Sequence, residues 1–260
     1  LAGGELVIKV QGKTITAEQV INQIQFNTTE QKVIHILSLS NEVYEYDSLI
    51  QLKFELNLRS NTVNAAIELN SSEFAFRVFR KSFCNPIYWN RTDEGGFDLQ
   101  SDVKPSDAIK DIYNNSSKYG TECATAMIIV FYKALLDLLP VTLFNQFYSN
   151  IYLMNWKSLD KDLGLYVVNN PTDFLPGDCM YFKNPEVDPV TPEWQGENVI
   201  NLGDGKYYGH GIGINTADEI IEVLNQRRFN EATESAYLLS IAKRLSFKYI
   251  SYHYKLYSSN

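Results

Sequence analysis

Between Asp47 and Leu69 the apolar residues Leu49, Leu52, Leu56, Val63 and Ile67 recur at spacings of 3, 4, 7 and 4, which lines them along one side of a helix. Pro105 opens a second helix with Ile109, Ile112 and Tyr113 on one face, and the run Asn114-Asn115-Ser116-Ser117 ends it. Just after Gly120 comes CATAMIIVFYKALLDLL, apolar on nearly every face until Pro140. That pattern predicts a helix buried in the middle of the fold.

Past Trp156 the period changes. LYVVNN, GDCMYF, ENVINL and KYYGHGIGI are short, rich in β-branched and aromatic residues, and set off by Pro, Gly, Asn or Asp, so they read as strands. Thr216 with Glu219 forms a capping box ahead of Ile220, Ile221 and Leu224, which predicts a helix there. SAYLLSIAKRL fits neither period. The order of helices, then strands, then a helix indicates an α+β fold with an antiparallel sheet rather than alternating βαβ units. No repeat or linker divides the chain, but the first 45 residues and the Tyr-rich end KYISYHYKLYSSN are the least patterned. Residues 1–45 are therefore set apart as an N-terminal extension and residues 46–260 assigned to one domain.

Composition narrows the class. Hydrophobic residues make up 45% of the 260 positions and charged residues 21%, a globular balance that excludes wholesale disorder. Lys133 and Asp137 interrupt the longest apolar stretch, so no membrane span is expected. The opening LAGGELVIKV shows no basic leader or apolar signal core, which favours an intracellular protein. A formal net charge of -8 disfavours nucleic acid and anionic lipid as partners. Cys84, Cys123 and Cys179 are odd in number and lack C-x-x-C spacing, so free thiols are expected. No metal and no cofactor is expected, since no ligand cluster stands out.

Cys123 falls in the first turn of the buried helix, where backbone N–H groups and the dipole stabilise a thiolate. The same place suits a small core residue, and a partner base must decide between the two. Of the three histidines, His35 lies in the helical stretch KVIHILSL and His253 in the Tyr-rich tail, both ordinary structural places. His210 stands among Gly209, Gly211 and Gly213, which marks either a close approach to the backbone or a bulge. If Asp204-Gly205 is a two-residue hairpin turn, paired positions sum to 409 and His210 faces Val199, which puts Glu197 on the His210 side as its diagonal neighbour. A three-residue turn reverses that.

A helix-end thiol, an imidazole and an orienting carboxylate make the constellation of papain-like thiol chemistry, with a Cys123–His210 hydrogen bond expected. The residues point to acyl transfer and leave open whether water or an amine receives the acyl group. Glu122 suits a helix start, yet beside Cys123 it opposes ionisation; it either holds the thiol in check or is a solvated acid. Six acids and one base between Asp178 and Asp204 attract a lysine or form a solvated face.

TECATAMIIVFYKAL, LPGDCMYFKNPEVDP and EWQGENVINLGDGKYYGHGIGI resemble the spore-coat transglutaminases of bacilli, protein-glutamine gamma-glutamyltransferases, over about Leu49 to Arg244. The resemblance implies a papain-like fold similar to NlpC/P60 enzymes, with Cys123 as nucleophile and His210 and Glu197 as its partners. It also implies Trp156, Tyr181 and Trp194 along the substrate passage with Glu122 beside them, although core packing accounts equally for Tyr181. The implied partners are glutamine- and lysine-bearing coat proteins, met by a monomer inside the sporulating cell. Two rivals stay open: an NlpC/P60-like cell-wall peptidase or amidase, and a catalytically idle coat protein.

Overall fold

The computed structural model describes residues 8–23, 26–156 and 159–259. In chain order its elements are β1 (Ile8–Val10), β2 (Lys13–Ile15), α1 (Ala17–Gln23), α2 (Thr28–Leu39), β3 (Tyr44–Tyr46), α3 (Leu49–Asn70), β4 (Ala75–Phe76), β5 (Trp89–Arg91), β6 (Phe97–Leu99), α4 (Pro105–Asn114), β7 (Gly120–Thr121) and α5 (Cys123–Leu138). There follow α6 (Val141–Phe147), β8 (Tyr152–Leu153), β9 (Leu165–Asn169), β10 (Cys179–Lys183), β11 (Gly196–Gly203), β12 (Lys206–Gly209), β13 (Gly213–Thr216), α7 (Ala217–Asn225), β14 (Tyr237–Leu238), β15 (Ile241–Leu245) and α8 (Phe247–Ser258).

The main sheet has seven strands in the order β13-β12-β11-β10-β15-β9, with β14 also on β10, and every pairing is antiparallel. Strand alternation divides its side chains between two layers. Cys179, Ile200 and Tyr208 point into the main core with Met127, Val130 and Phe131 of α5. Met180, Phe182 and Val199 point the other way, onto Ile220 and Leu224 of α7. The apolar run after Gly120 is the buried central helix that its composition predicts, and α3 packs along it. This helix-on-antiparallel-sheet arrangement, with a cysteine at the helix start, is the α+β papain-like plan.

Three expectations change. The spacing in α3 marks one buried face, but the helix lies between two cores: Leu52 and Leu56 face one, Phe54, Leu58, Ala65 and Leu69 the other. Ile67, expected inside, is 42% exposed. SAYLLSIAKRL resolves into β14 and β15, too short for a period to show. The Tyr-rich end is helix α8, capped by Ser246, with Ile250 buried and the Tyr254 ring 5.7 Å from that of Phe54. The described residues ahead of β3 pack on the rest. β1 pairs antiparallel with β2 and parallel with β3, and Val33, Ile34 and Leu37 of α2 share a core with Leu52, Leu56 and Leu175. The 45/46 boundary thus falls inside β3.

For the site, the smallest sheet matters most. β4 and β7 pair in parallel, with Ala75 opposite Gly120 and Phe76 opposite Thr121, which anchors the residues just ahead of Cys123. Among the described residues no helix is long and apolar enough to cross a membrane.

Candidate active site

Cys123 opens α5, and Glu122 caps it. The Glu122 carboxylate accepts the backbone N–H of Ala124 at 2.7 Å, that of Thr125 at 2.7 Å and the Thr125 hydroxyl at 2.6 Å. The first N–H groups of a helix are its anion-binding donors. Here they are committed to Glu122, not to sulfur. Burial, then the charges of Glu197 and Glu122, push the Cys123 thiol well above its ordinary range. The expectation of a helix-end thiolate is corrected: the resting sulfur keeps its proton at neutral pH. The other thiols are pushed up too, Cys84 to about 11 and Cys179 to about 12, chiefly by burial.

Asp204-Gly205 forms the expected two-residue turn, both residues left-handed at φ 52° and 70°, with Gly203 opposite Lys206. A register shift between Asn201 and Gly203 then displaces the pairing by one, so Val199 faces Gly209 instead of His210. The strand also ends at Gly209, and His210, Gly211 and Ile212 turn into β13. His210 is therefore a turn residue, and the diagonal pairing predicted for it does not form.

Glu197 meets His210 by another route. A Cβ at Gly209 would lie 3.0 Å from Glu197 Cγ, so the glycine leaves the space that the glutamate side chain occupies. The His210 backbone N–H favours the ionised form of the Glu197 carboxylate. Gly211, at φ 105°, lets the same turn lie against the Phe76 ring, which a Cβ there would approach to 2.9 Å. Glu197 is buried, its Oε1 has no hydrogen-bond partner among the described residues, and burial followed by the Glu122 charge raises its carboxyl well above the usual range.

The His210 ring stacks on Phe74 with centroids 4.8 Å apart. Its Nε2 lies 3.2 Å from the Ala75 carbonyl oxygen and its Nδ1 3.2 Å from the Tyr208 hydroxyl. A carbonyl only accepts, so Nε2 carries the proton and Nδ1 accepts from Tyr208. With both nitrogens engaged, no hydrogen bond joins His210 to Cys123 among the described residues, contrary to expectation. Burial lowers the imidazole to about 4, against the Ala75 and Thr121 carbonyls, so the ring is neutral.

That lowering makes a prediction. The unfolded imidazole takes its proton near its ordinary value of about 6.5 and the folded one only near 4, so this contribution is complete above the first value and lost as pH falls through the second. The loss is about 3 kcal/mol. Urea unfolding at several pH values should show the parent losing that much relative to His210→Gln over the window, and parallel curves would refute it.

Sequence reasoning missed Asn198. It lies opposite Tyr181 in the β10–β11 pairing and on the α5 side of the sheet. Its Nδ2 donates to Cys123 Sγ at 3.4 Å, and its Oδ1 accepts from Trp156 Nε1 at 3.2 Å. The signal was a polar side chain at a core-facing position of ENVINL. Trp156 is thereby tied to Cys123 through Asn198, and the Lys243 ammonium stands 4.5 Å from its ring centroid. The Tyr181 hydroxyl donates to the Gln195 carbonyl at 3.4 Å, and its phenol is pushed up to about 12 by burial and then by Cys123 and Glu197. Trp194 stands apart from this cluster: it packs against the α7-side core, with the Arg227 guanidinium 4.9 Å from its ring. Among the described residues no group of three or more His, Cys, Asp or Glu side chains could hold a metal ion.

The protein-glutamine gamma-glutamyltransferase family model matches residues 7–255. Protein-glutamine gamma-glutamyltransferases of Bacillus cereus (strain AH820) and Bacillus anthracis (strain A0248) are each 46% identical over 245 residues, covering 94% of this chain and 88% of theirs. The solved transglutaminase from Geobacillus stearothermophilus (without C-terminal extension) superposes with a TM-score of 0.75 at 53% identity, covering 78% of this chain and 97% of that one. A half-buried cysteine at a helix start, flanked by two carboxylates and faced by an antiparallel sheet, sits within that match, and the chain belongs to the protein-glutamine gamma-glutamyltransferase family.

Proposed function

We propose that Cys123 is the nucleophile of this transglutaminase, that Glu197 is its base, and that its substrates are spore-coat proteins. The observation carrying the catalytic roles is the pairing of a half-buried thiol with a buried carboxyl, both with raised proton affinities: Cys123 and Glu197, the Glu197 charge being among the causes that act on the thiol. A base works best when its affinity for the proton is close to that of the group it serves. Glu197 takes the Sγ proton as sulfur attacks Cδ of a protein glutamine; the C–N bond breaks, the nitrogen leaves as ammonia carrying that proton, and a thioester remains. A lysine Nζ then attacks the thioester carbonyl, Glu197 takes the proton it sheds, an isopeptide bond forms, and the proton returns to Sγ. Each turnover releases one ammonia.

His210 supports this step through its backbone N–H on Glu197 and through the ring contacts that pin its turn to β4. Trp156 and Tyr181 wall the sulfur, shielding the thioester from water while an amine arrives; Glu122 stands at the inner end of the lysine's approach, and Trp194, apart from this cluster, serves only its outer end. The coat substrates, a monomeric enzyme and action inside the sporulating cell rest on the resemblance to the coat enzymes of bacilli. The side chains in the catalytic cluster come from residues after 46, which supports catalysis by the 46–260 domain with residues 1–45 as an extension.

Ammonia release from a glutamine-bearing protein, measured with and without a labelled primary amine, tests the reaction. Ammonia and incorporated amine are expected in equal amounts when amine is saturating. Cleavage of backbone peptide bonds with no amine incorporated would select the peptidase instead.

A further inference from the structure

The orientation of one buried amide is fixed by chemistry. Asn198 is 6% exposed, and an indole N–H is a donor that cannot accept, so the side-chain oxygen of Asn198 must face Trp156 Nε1, 3.2 Å away. The amide nitrogen is therefore turned to the other side, where Cys123 Sγ lies 3.4 Å off. This side-chain donor opposes the surrounding carboxylates, Glu197 and Glu122, which disfavour negative charge on sulfur. Trp156 is itself held from its face by the Lys243 ammonium at 4.5 Å.

We infer that Asn198 acts on the reacting sulfur, its amide locked by Trp156 so that Nδ2 supports the thiolate as it forms. The inference rests on the assignment of Cys123 as nucleophile. An N–H donor gains little from a neutral thiol and much more from an anion, so its contribution appears when the proton leaves Sγ. Lys243, Trp156, Asn198 and Cys123 form one line of contacts, and loss of the indole N–H frees the amide to turn its oxygen toward sulfur.

Chloroacetamide labelling of Cys123, followed by mass spectrometry between about pH 7 and pH 10, reads thiolate formation directly. Asn198→Asp, which puts a carboxylate where the amide nitrogen stood, is expected to slow labelling and transfer together by on the order of ten- to a hundredfold. Asn198→Ala is expected to act in the same direction to a smaller extent. Trp156→Phe leaves Asn198 in place and should also slow labelling, and adding Asn198→Ala to it should cost less than the same change costs in the parent. If Asn198→Asp fails to fold, the Trp156→Phe comparison decides the matter alone. Labelling at the parental rate in Asn198→Ala, or Trp156→Phe that loses transfer while Cys123 labels normally, would overturn the inference. Cys123→Ala run alongside separates the two readings: transfer surviving there removes the nucleophile assignment itself, whereas a dead Cys123→Ala beside normal Asn198 variants removes only the role of Asn198.

Discussion

Cys123→Ala is expected to abolish transfer, and Glu197→Gln to lower kcat by about 10²- to 10⁴-fold while making the protein more stable at neutral pH. No second thiol can take over: Cys179 is fully buried in the main core, and the Cys84 sulfur is turned to the Trp89 carbonyl oxygen, 3.7 Å away. Glutamine keeps the shape of Glu197 but accepts no proton, so the thiol must lose its proton unaided. The stability gain follows from the sign of the Glu197 shift. Burial and the Glu122 charge raise its carboxyl in the folded state, so the folded chain holds this proton more tightly than the unfolded chain does, and the ionised carboxylate that the role of base requires is held at a cost in stability. The stability this proton gives is complete below the ordinary carboxylate range and is lost as pH rises toward the raised value. Glutamine removes that dependence. Urea midpoints should therefore separate in favour of Glu197→Gln at neutral pH and converge in acid. A variant less stable than the parent at neutral pH would show that burial of this carboxylate is not opposed by its surroundings, and near-parental kcat would remove it as the base.

The reaction's site was legible in part, and the misses share a cause. Local signals held: the Thr216–Glu219 capping box, the Asp204-Gly205 turn, and a helix apolar on all faces from Cys123 onward are each written within a few residues. What depended on a neighbour in space did not show. The register shift between Asn201 and Gly203 moves every pairing beyond it, and no residue in that stretch announces it. The thiolate expectation weighed the helix dipole and missed that Glu122 takes the donors which carry it. Asn198 was passed over because a strand reading follows apolar alternation, and the informative position was the polar one. The aromatic residues of α8 read as an uncommitted tail, because their partners Phe54 and Phe147 lie far away in sequence.

The largest expected effect on stability lies at Asp178, in the turn that enters β10. Its side chain is fully buried and accepts from Arg59 Nη1 at 2.8 Å, Arg244 Nε at 2.9 Å, Arg244 Nη2 at 2.8 Å and the Leu175 backbone N–H at 2.9 Å. Arg59 also pairs with Glu55 at 2.8 Å, and the Tyr46 hydroxyl donates to Glu55 at 2.7 Å. Two carboxylates thus balance two guanidinium groups, and the cluster joins β3, α3, the turn and β15. Gly177, at φ 86°, lets that turn press on α3, since a Cβ there would stand 3.1 Å from Arg59 Cα and from its carbonyl oxygen. Asp178→Asn keeps the volume but leaves two buried guanidinium groups facing one carboxylate and an amide whose nitrogen also donates. Removing one partner of such a buried pair costs about 3–5 kcal/mol, because the remaining charge stays desolvated without compensation. Urea unfolding of Asp178→Asn should show a loss of that size at neutral pH. A loss under about 1 kcal/mol would mean the cluster behaves as an exposed pair does. Where the variant still folds, Cys123 labelling should change far less than the midpoint, since none of these contacts touches sulfur. A selective collapse of labelling in a stably folded Asp178→Asn would instead make the cluster part of the catalytic machinery.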